Sequence, residues 1–226
     1  MTDLAPIIRP ARAADSTAAV PLIHSSGPAA FRFVFDVPPI ATAEDFLHRA
    51  FVDGRGEFGY RNHVVAELDG TVVGIGAAWG RESNARFARV AARQIFACFG
   101  WRRGAGVLTR GLRLETVLRP PTRGEWYVAH LGVHPQLRSR GVGAALVQHL
   151  LAAGRAGGYA TAALDVATTN PRAEALYARL GFRVVRERST RLGNAQGVVP
   201  GHRRMAMDLV VGSSRAQRGR PRCCLW

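Results

Sequence analysis

Apolar positions along the chain change period several times, and each change marks an element. In residues 63–68 and 71–79, Val64, Ala66 and Leu68 and then Val73, Ile75 and Ala77 recur at every second position. That is the period of a strand with one buried face. Asp69-Gly70 between them supplies the positive φ angles of a tight two-residue turn, so the stretch predicts a hairpin. Residues 41–51 shift to spacings of three and four, with Phe46, Leu47, Ala50 and Phe51 on one stripe, Thr42 as cap and Glu44-Asp45 in the first turn. This predicts a helix, the second of the chain after one beginning near Asp15-Ser16-Thr17 behind a first strand at residues 7–12. Residues 31–37 are aromatic and β-branched and are interrupted by Pro38-Pro39; Phe31, Phe33 and Phe35 there are either core or the lining of a pocket.

The most informative run is 126–182. A strand at 126–133 ends at His134-Pro135, a short basic loop comes next, and Gly141-Val142-Gly143 opens onto a helical stripe of Val142, Leu146, Val147, Leu150 and Leu151 that stops near Gly154 or Gly157. Unpaired N–H groups at a helix start, together with the helix dipole, suit an anion. Glycines let a phosphate or pyrophosphate approach the backbone. Arg138 and Arg140 add positive charge beside that loop. Taken alone the loop is equally a plain helix entry. The second half of the run is more specific: a strand at 160–166, a helix opened by Asn170 as cap and Pro171 as first residue, Gly181-Phe182, and a further strand from 182. A last strand is expected at 202–210, where Met205, Met207 and Leu209 alternate.

Charge and cysteine content change the picture little. The chain has 31 basic and 16 acidic residues, a net charge of +15, and every basic residue is Arg. Such a charge can attract nucleic acid, acidic membranes or an anionic small molecule. No zinc-finger spacing, aromatic RNA-binding signature or basic recognition helix points to nucleic acid. No apolar run approaches the roughly 20 residues of a membrane span, and no secretory h-region is visible. Cys98, Cys223 and Cys224 form neither a disulfide framework nor a metal pattern, so no metal is expected and the cytoplasm is the default compartment.

Three motifs in order resemble the GCN5-related N-acetyltransferase (GNAT) superfamily: Leu131-Gly132-Val133-His134-Pro135, Arg138-Ser139-Arg140-Gly141-Val142-Gly143, and Asn170-x-x-Ala173-x-x-Leu176-Tyr177-x-x-x-Gly181-Phe182. The resemblance implies an α/β fold with a mixed, mostly antiparallel central sheet of about six or seven strands flanked by helices. The domain would occupy residues 1–211, followed by a basic, disordered tail at 212–226. It implies acetyl-CoA as co-substrate. Leu131 and Val133 would pair with the pantetheine arm, the amides of Ser139, Gly141, Val142, Gly143 and Ala144 would hold the pyrophosphate with Arg138 and Arg140 beside it, and Asn170 would contact the pantetheine. Tyr177 would donate a proton to the departing CoA. The reaction is direct attack of an amine on the thioester carbonyl through a tetrahedral oxyanion, with the Val133 N–H as its donor. Some members carry a Glu base on this strand; here the matching position is Tyr127, which leaves Glu125, His130 or His134 as the candidate base.

Residues 81–123 are a helical insertion relative to a minimal family member. Its stripe of Phe87, Val90, Ala91, Ile95, Cys98 and Phe99 is broken at Gly100–Gly104, with a second helix expected over 107–118. Nine Arg against one acid, Glu115, lie between Arg86 and Arg123. The insertion is a packed hairpin with a solvated basic face, a lid over the acceptor, or a contact in a possible homodimer. As a lid, its basic rim would suit an acceptor with a carboxylate or phosphate. Three functions are open: acetylation of a small primary amine, acetylation of a protein or peptide amine, and acyl-CoA sensing without catalysis.

Overall fold

The computed structural model describes residues 6–209. The expected strand to residue 210, the tail at 212–226, and Cys223 and Cys224 end or lie outside them. Seven strands form one sheet: β1 (Ile7–Pro10), β2 (His63–Leu68), β3 (Thr71–Gly80), β4 (Glu125–Val133), β5 (Thr161–Ala167), β6 (Arg183–Arg188) and β7 (His202–Asp208). Their order is β1-β2-β3-β4-β5-β7-β6, antiparallel except between β4 and β5. The β2–β3 turn has φ of 47° at Asp69 and 75° at Gly70, the conformation the Asp-Gly pair predicts.

Helices cover both faces. On one lie α1 (Ser16–Ser25), α2 (Pro28–Phe35) and α3 (Ala43–Asp53), whose Ile23, Phe33, Phe46, Leu47 and Phe51 are buried together with Val65 and Ile75 of the sheet. On the other lie α5 (Val142–Ala156) and α6 (Pro171–Arg179), where Val147, Leu150, Leu151 and Tyr177 pack on Leu164, Phe182 and Met205. Two glycines set the spacing of these layers. A Cβ at Gly74 would stand 2.9 Å from Leu146 Cδ1 of α5, and one at Gly132 would run into the backbone carbonyl of Leu22 in α1.

Two expectations are corrected. The aromatic run at 31–37 is mostly helical, because α2 starts at Pro28 as first residue and ends before Pro38-Pro39, so the helix at 43–53 is the third and not the second. Its Thr42–Asp45 capping box is present. The insertion is α4 (Asn84–Leu114), broken at Gly100, where φ is 70° and ψ 173°. Its second half resumes directly after Gly100 instead of at 107. Phe96 stacks on Trp101 with centroids 4.7 Å apart, and Asn84 Nδ2 donates to the Pro121 carbonyl at 3.1 Å. The two halves thus fold back as a hairpin whose ends meet.

Candidate active site

The sheet opens at its centre. β4 and β5 pair only at Glu125–Thr161, Trp126–Ala162 and Tyr127–Ala163, while β5 stays paired to β7 along its whole length. Beyond Tyr127 the β5-facing edge of β4 therefore has no strand partner. The β3–β4 register shifts between Ile75 and Ala77, and His130 sits at φ 54°. This is a bulge, which re-aims a side chain and breaks the ladder locally. It turns His130 and Leu131 toward the gap.

At the gap's end the chain passes through Pro135–Leu137 into the loop before α5. Ser139 has φ of 65° and Gly141 of 82°. No side chain caps α5 at Gly141, and a Cβ there would meet nothing within 4 Å, whereas one at Gly143 would stand 3.3 Å from Leu176 Cδ2. Arg172 Nη2 donates to Ser139 Oγ at 2.8 Å, and the exposed Arg138 and Arg140 flank the loop. The residues present fit a bound diphosphate.

A cavity of about 540 Å³ runs from the gap toward the insertion. Leu131, Leu164, Tyr177, Trp79 and Tyr127 line it together with residues of α2 and of both halves of α4. Phe31 and Phe35 line it, and Phe35 also belongs with Phe33 to the core. Its volume suits a small molecule.

His130 is the most elaborately held group on the wall. His63 Nδ1 lies 2.9 Å from the Gly59 carbonyl, which can only accept, so that nitrogen donates. Burial and the nearby His130 push His63 down to about 3, which keeps it neutral with Nε2 as acceptor. His130 Nδ1, 3.1 Å away, must then donate to it. That leaves His130 Nε2 free, 3.4 Å from Glu57 Oε1. The ring stacks on Phe58 at 5.2 Å and tilts against Trp79 at 5.7 Å.

The other candidates are placed differently. Glu125 Oε2 accepts from the Thr122 amide and hydroxyl, each at 2.7 Å, and from Arg204 Nη2 at 3.1 Å. Burial alone would raise this carboxyl, but those bonds and the Arg204 charge hold it below its ordinary range. Tyr127 donates to Asp165 Oδ2 at 3.0 Å and lies under the Arg204 guanidinium at 4.7 Å. Burial, then the Asp165 charge, pushes it well above the usual tyrosine value. His134 is exposed at the start of the loop. Tyr177 is buried at the inner end of the cavity, edge-on to Phe182, and burial pushes it up to about 12. Asn170 Oδ1 accepts from the Ala173 amide at 3.1 Å, the helix cap its sequence position predicts.

Residues 31–182 match the profile of the acetyltransferase (GNAT) family. The chain belongs to that family. Solved structures of similar fold include an N-acetyltransferase from Staphylococcus aureus Mu50 (15% identity, TM-score 0.67, covering 89% of this chain and 100% of that one). The ribosomal-protein-S18-alanine N-acetyltransferase of Escherichia coli is also similar (17%, 0.54, 93% and 97%). A third is a putative acetyltransferase from Salmonella typhimurium solved with its cofactor acetyl-CoA (17%, 0.52, 92% and 96%). No curated protein matches the chain.

GNAT enzymes transfer an acyl group and use acetyl-CoA. Of the expected residues, His130, Leu131 and Tyr177 line the cavity, Val133 and loop residues 138–144 follow at the end of β4, and Glu125 is paired with Arg204. Sequence reasoning missed Glu57, His63, Asp165 and Arg204. His63 had one signal, a polar residue opening an apolar strand; Glu57 sits in a loop without periodicity and had none. Among the described residues no cluster of ligands could hold a metal, and no helix is long and apolar enough to cross a membrane.

Proposed function

We propose that this chain acetylates the primary amine of a small molecule, with acetyl-CoA entering through the β4–β5 gap. The observation that carries the reading is the cavity walled by the α4 hairpin, which meets the gap beside His130 and Tyr177. A protein acceptor needs an open groove for an extended chain, and the hairpin occupies that space.

When bound, acetyl-CoA supplies an acetyl group activated as a thioester. The amides of Ser139, Gly141, Val142, Gly143 and Ala144 hold its diphosphate, aided by Arg138 and Arg140. The open β4 edge around Leu131 and Val133 would meet the amide groups of the pantetheine arm, and the Val133 N–H would polarise the thioester carbonyl. Asn170 supports this wall by fixing the start of α6. His130 Nε2 accepts the proton of the incoming ammonium; its tautomer is fixed by His63, and the Glu57 carboxylate offsets the charge it gains. Tyr177 Oη keeps its proton at neutral pH and would give it to the departing sulfur, the second proton lost by the attacking nitrogen then restoring the phenol. This replaces Glu125 as base with His130, one of the groups the sequence offered.

Calorimetric titration with acetyl-CoA and with CoA tests the first half. The wild type should bind in the micromolar range, and Gly143→Asp, which adds a negative charge to the α5 start, should not. Thiol release with a panel of amines then tests transfer. A wild type that binds neither nucleotide removes the reading.

A further inference from the structure

Within that reading, the acceptor can be narrowed by what the cavity offers it. Glu57, half-buried, and Glu115, exposed, both line the cavity, and partial desolvation, then the Glu57 charge, holds the Glu115 carboxyl above its ordinary range. Two carboxylates on one cavity favour an organic cation over an anion.

A second, independent feature lies deeper. Asp165 lines the cavity, its side chain is 2% exposed, and its Oδ2 is taken by Tyr127 and by Arg204 Nη1 at 2.8 Å. Its Oδ1 is buried and has no partner. Closed off from solvent, that oxygen adds negative potential behind the wall without itself reaching a ligand.

The cations nearby do not compensate. Arg204 is spent on Asp165, Glu125 and the Tyr127 ring. Among the described residues lining the cavity, Arg119 is the one arginine, and like Glu115 it is exposed. The arginines on the first half of α4 point elsewhere: Arg86, Arg89 and Arg93 line a separate groove against Arg49 and Arg55 of the α3 side. The remaining cavity wall is apolar and aromatic, with Phe31, Phe35, Phe58, Trp79, Phe87 and Ile95. The basic rim expected from the sequence is therefore on the wrong face of the helix, and the acceptor side is acidic and apolar.

We infer that the acceptor is a primary amine on an apolar, ring-bearing body that carries no carboxylate or phosphate. Its ammonium donates to both His130 Nε2 and Glu57 Oε1, which stand 3.4 Å apart on the cavity wall. Its body fills the aromatic part of the cavity. A carboxylate on the same carbon would meet the like charges of Glu57 and Glu115, which disfavours it.

The test rests on matched pairs: 2-phenylethylamine against phenylalanine, and tryptamine against tryptophan, with the full chain and saturating acetyl-CoA. The amines should exceed the amino acids by at least about 10²-fold in kcat/KM, each 1.4 kcal/mol being about tenfold. Glu115→Gln should raise the amine's KM several-fold, and Glu115→Arg should narrow or reverse the preference. Equal or better use of the amino acids overturns the inference, as does preferred acetylation of a peptide N-terminus or of an amino sugar phosphate. So does a protein that binds acetyl-CoA by calorimetry yet acetylates neither member of either pair. In those cases the transferase reading survives; a failure to bind acetyl-CoA at all is the separate result that removes both.

Discussion

At the scale of single residues, the Gly59 carbonyl determines which nitrogen of His130 is free, because it fixes the His63 tautomer and His63 fixes that of His130. His130→Ala should lower kcat about 10²–10⁴-fold, the usual worth of a positioned acid or base, while calorimetry shows acetyl-CoA binding retained. Tyr177→Phe should cost about 10²-fold in kcat. An ordinary tyrosine ionises near 10, but Tyr177 is pushed up to about 12, so it still holds its proton where an exposed tyrosine has lost it. The wild-type pH–rate profile should accordingly show no downturn around pH 10 from loss of this donor, and a downturn there would assign the proton to another group. None of the geometry around His130 is written in strand periodicity. A positive φ at a histidine, 54° here, arises from the bulge in β4, and the alternating pattern at 126–133 does not announce where a ladder slips.

At the scale of elements, the Arg204 guanidinium joins three strands: it lies on β7 and pairs with Asp165 of β5 and Glu125 of β4. Arg204→Leu would leave Asp165 buried and uncompensated, which costs about 3–5 kcal/mol, so the urea midpoint should fall sharply. Arg204→Leu combined with Asp165→Asn and Glu125→Gln should recover much of that loss. The α4 hairpin turns on Gly100. With φ 70° and ψ 173°, and no atom within 4 Å of where a Cβ would stand, Gly100→Ala meets backbone strain alone, of about 1–3 kcal/mol. Denaturant unfolding should register that loss, and the variant's amine KM should rise because α4 walls the cavity. Sequence periodicity located this hairpin but could not orient it. Nine arginines in one insertion promise a basic cover, yet a helix has two sides, and which one faces the sheet depends on the partners it finds.

At the scale of the whole molecule, burial of neutral histidines couples stability to pH. Desolvation lowers His24, His63 and His202 below the ordinary 6.5 in the fold. Their unfolded forms take up protons first, so the stability they contribute is complete above pH 6.5 and is lost as pH falls below it, by at most about 1.4 kcal/mol per pH unit for each. Urea midpoints measured from pH 7 to pH 4 should therefore decline, and His63→Gln should flatten the decline; a wild-type midpoint that stays level across that range contradicts the burial. What the sequence determined by itself is what local rules carry: the Asp-Gly hairpin, the Thr42 and Asn170 caps, the glycine entry to α5 and the strand–loop–helix order that marks the family, since each rests on residues adjacent in the chain. What only the tertiary structure decided is every feature made by distant segments. The pairing of His63 with His130, the placement of Glu57 and Glu115 on one cavity, and the capture of Glu125 by Arg204 join residues between 58 and 79 positions apart. Their proximity depends on where β4 parts from β5 and on which face of α4 turns inward, and packing settles both.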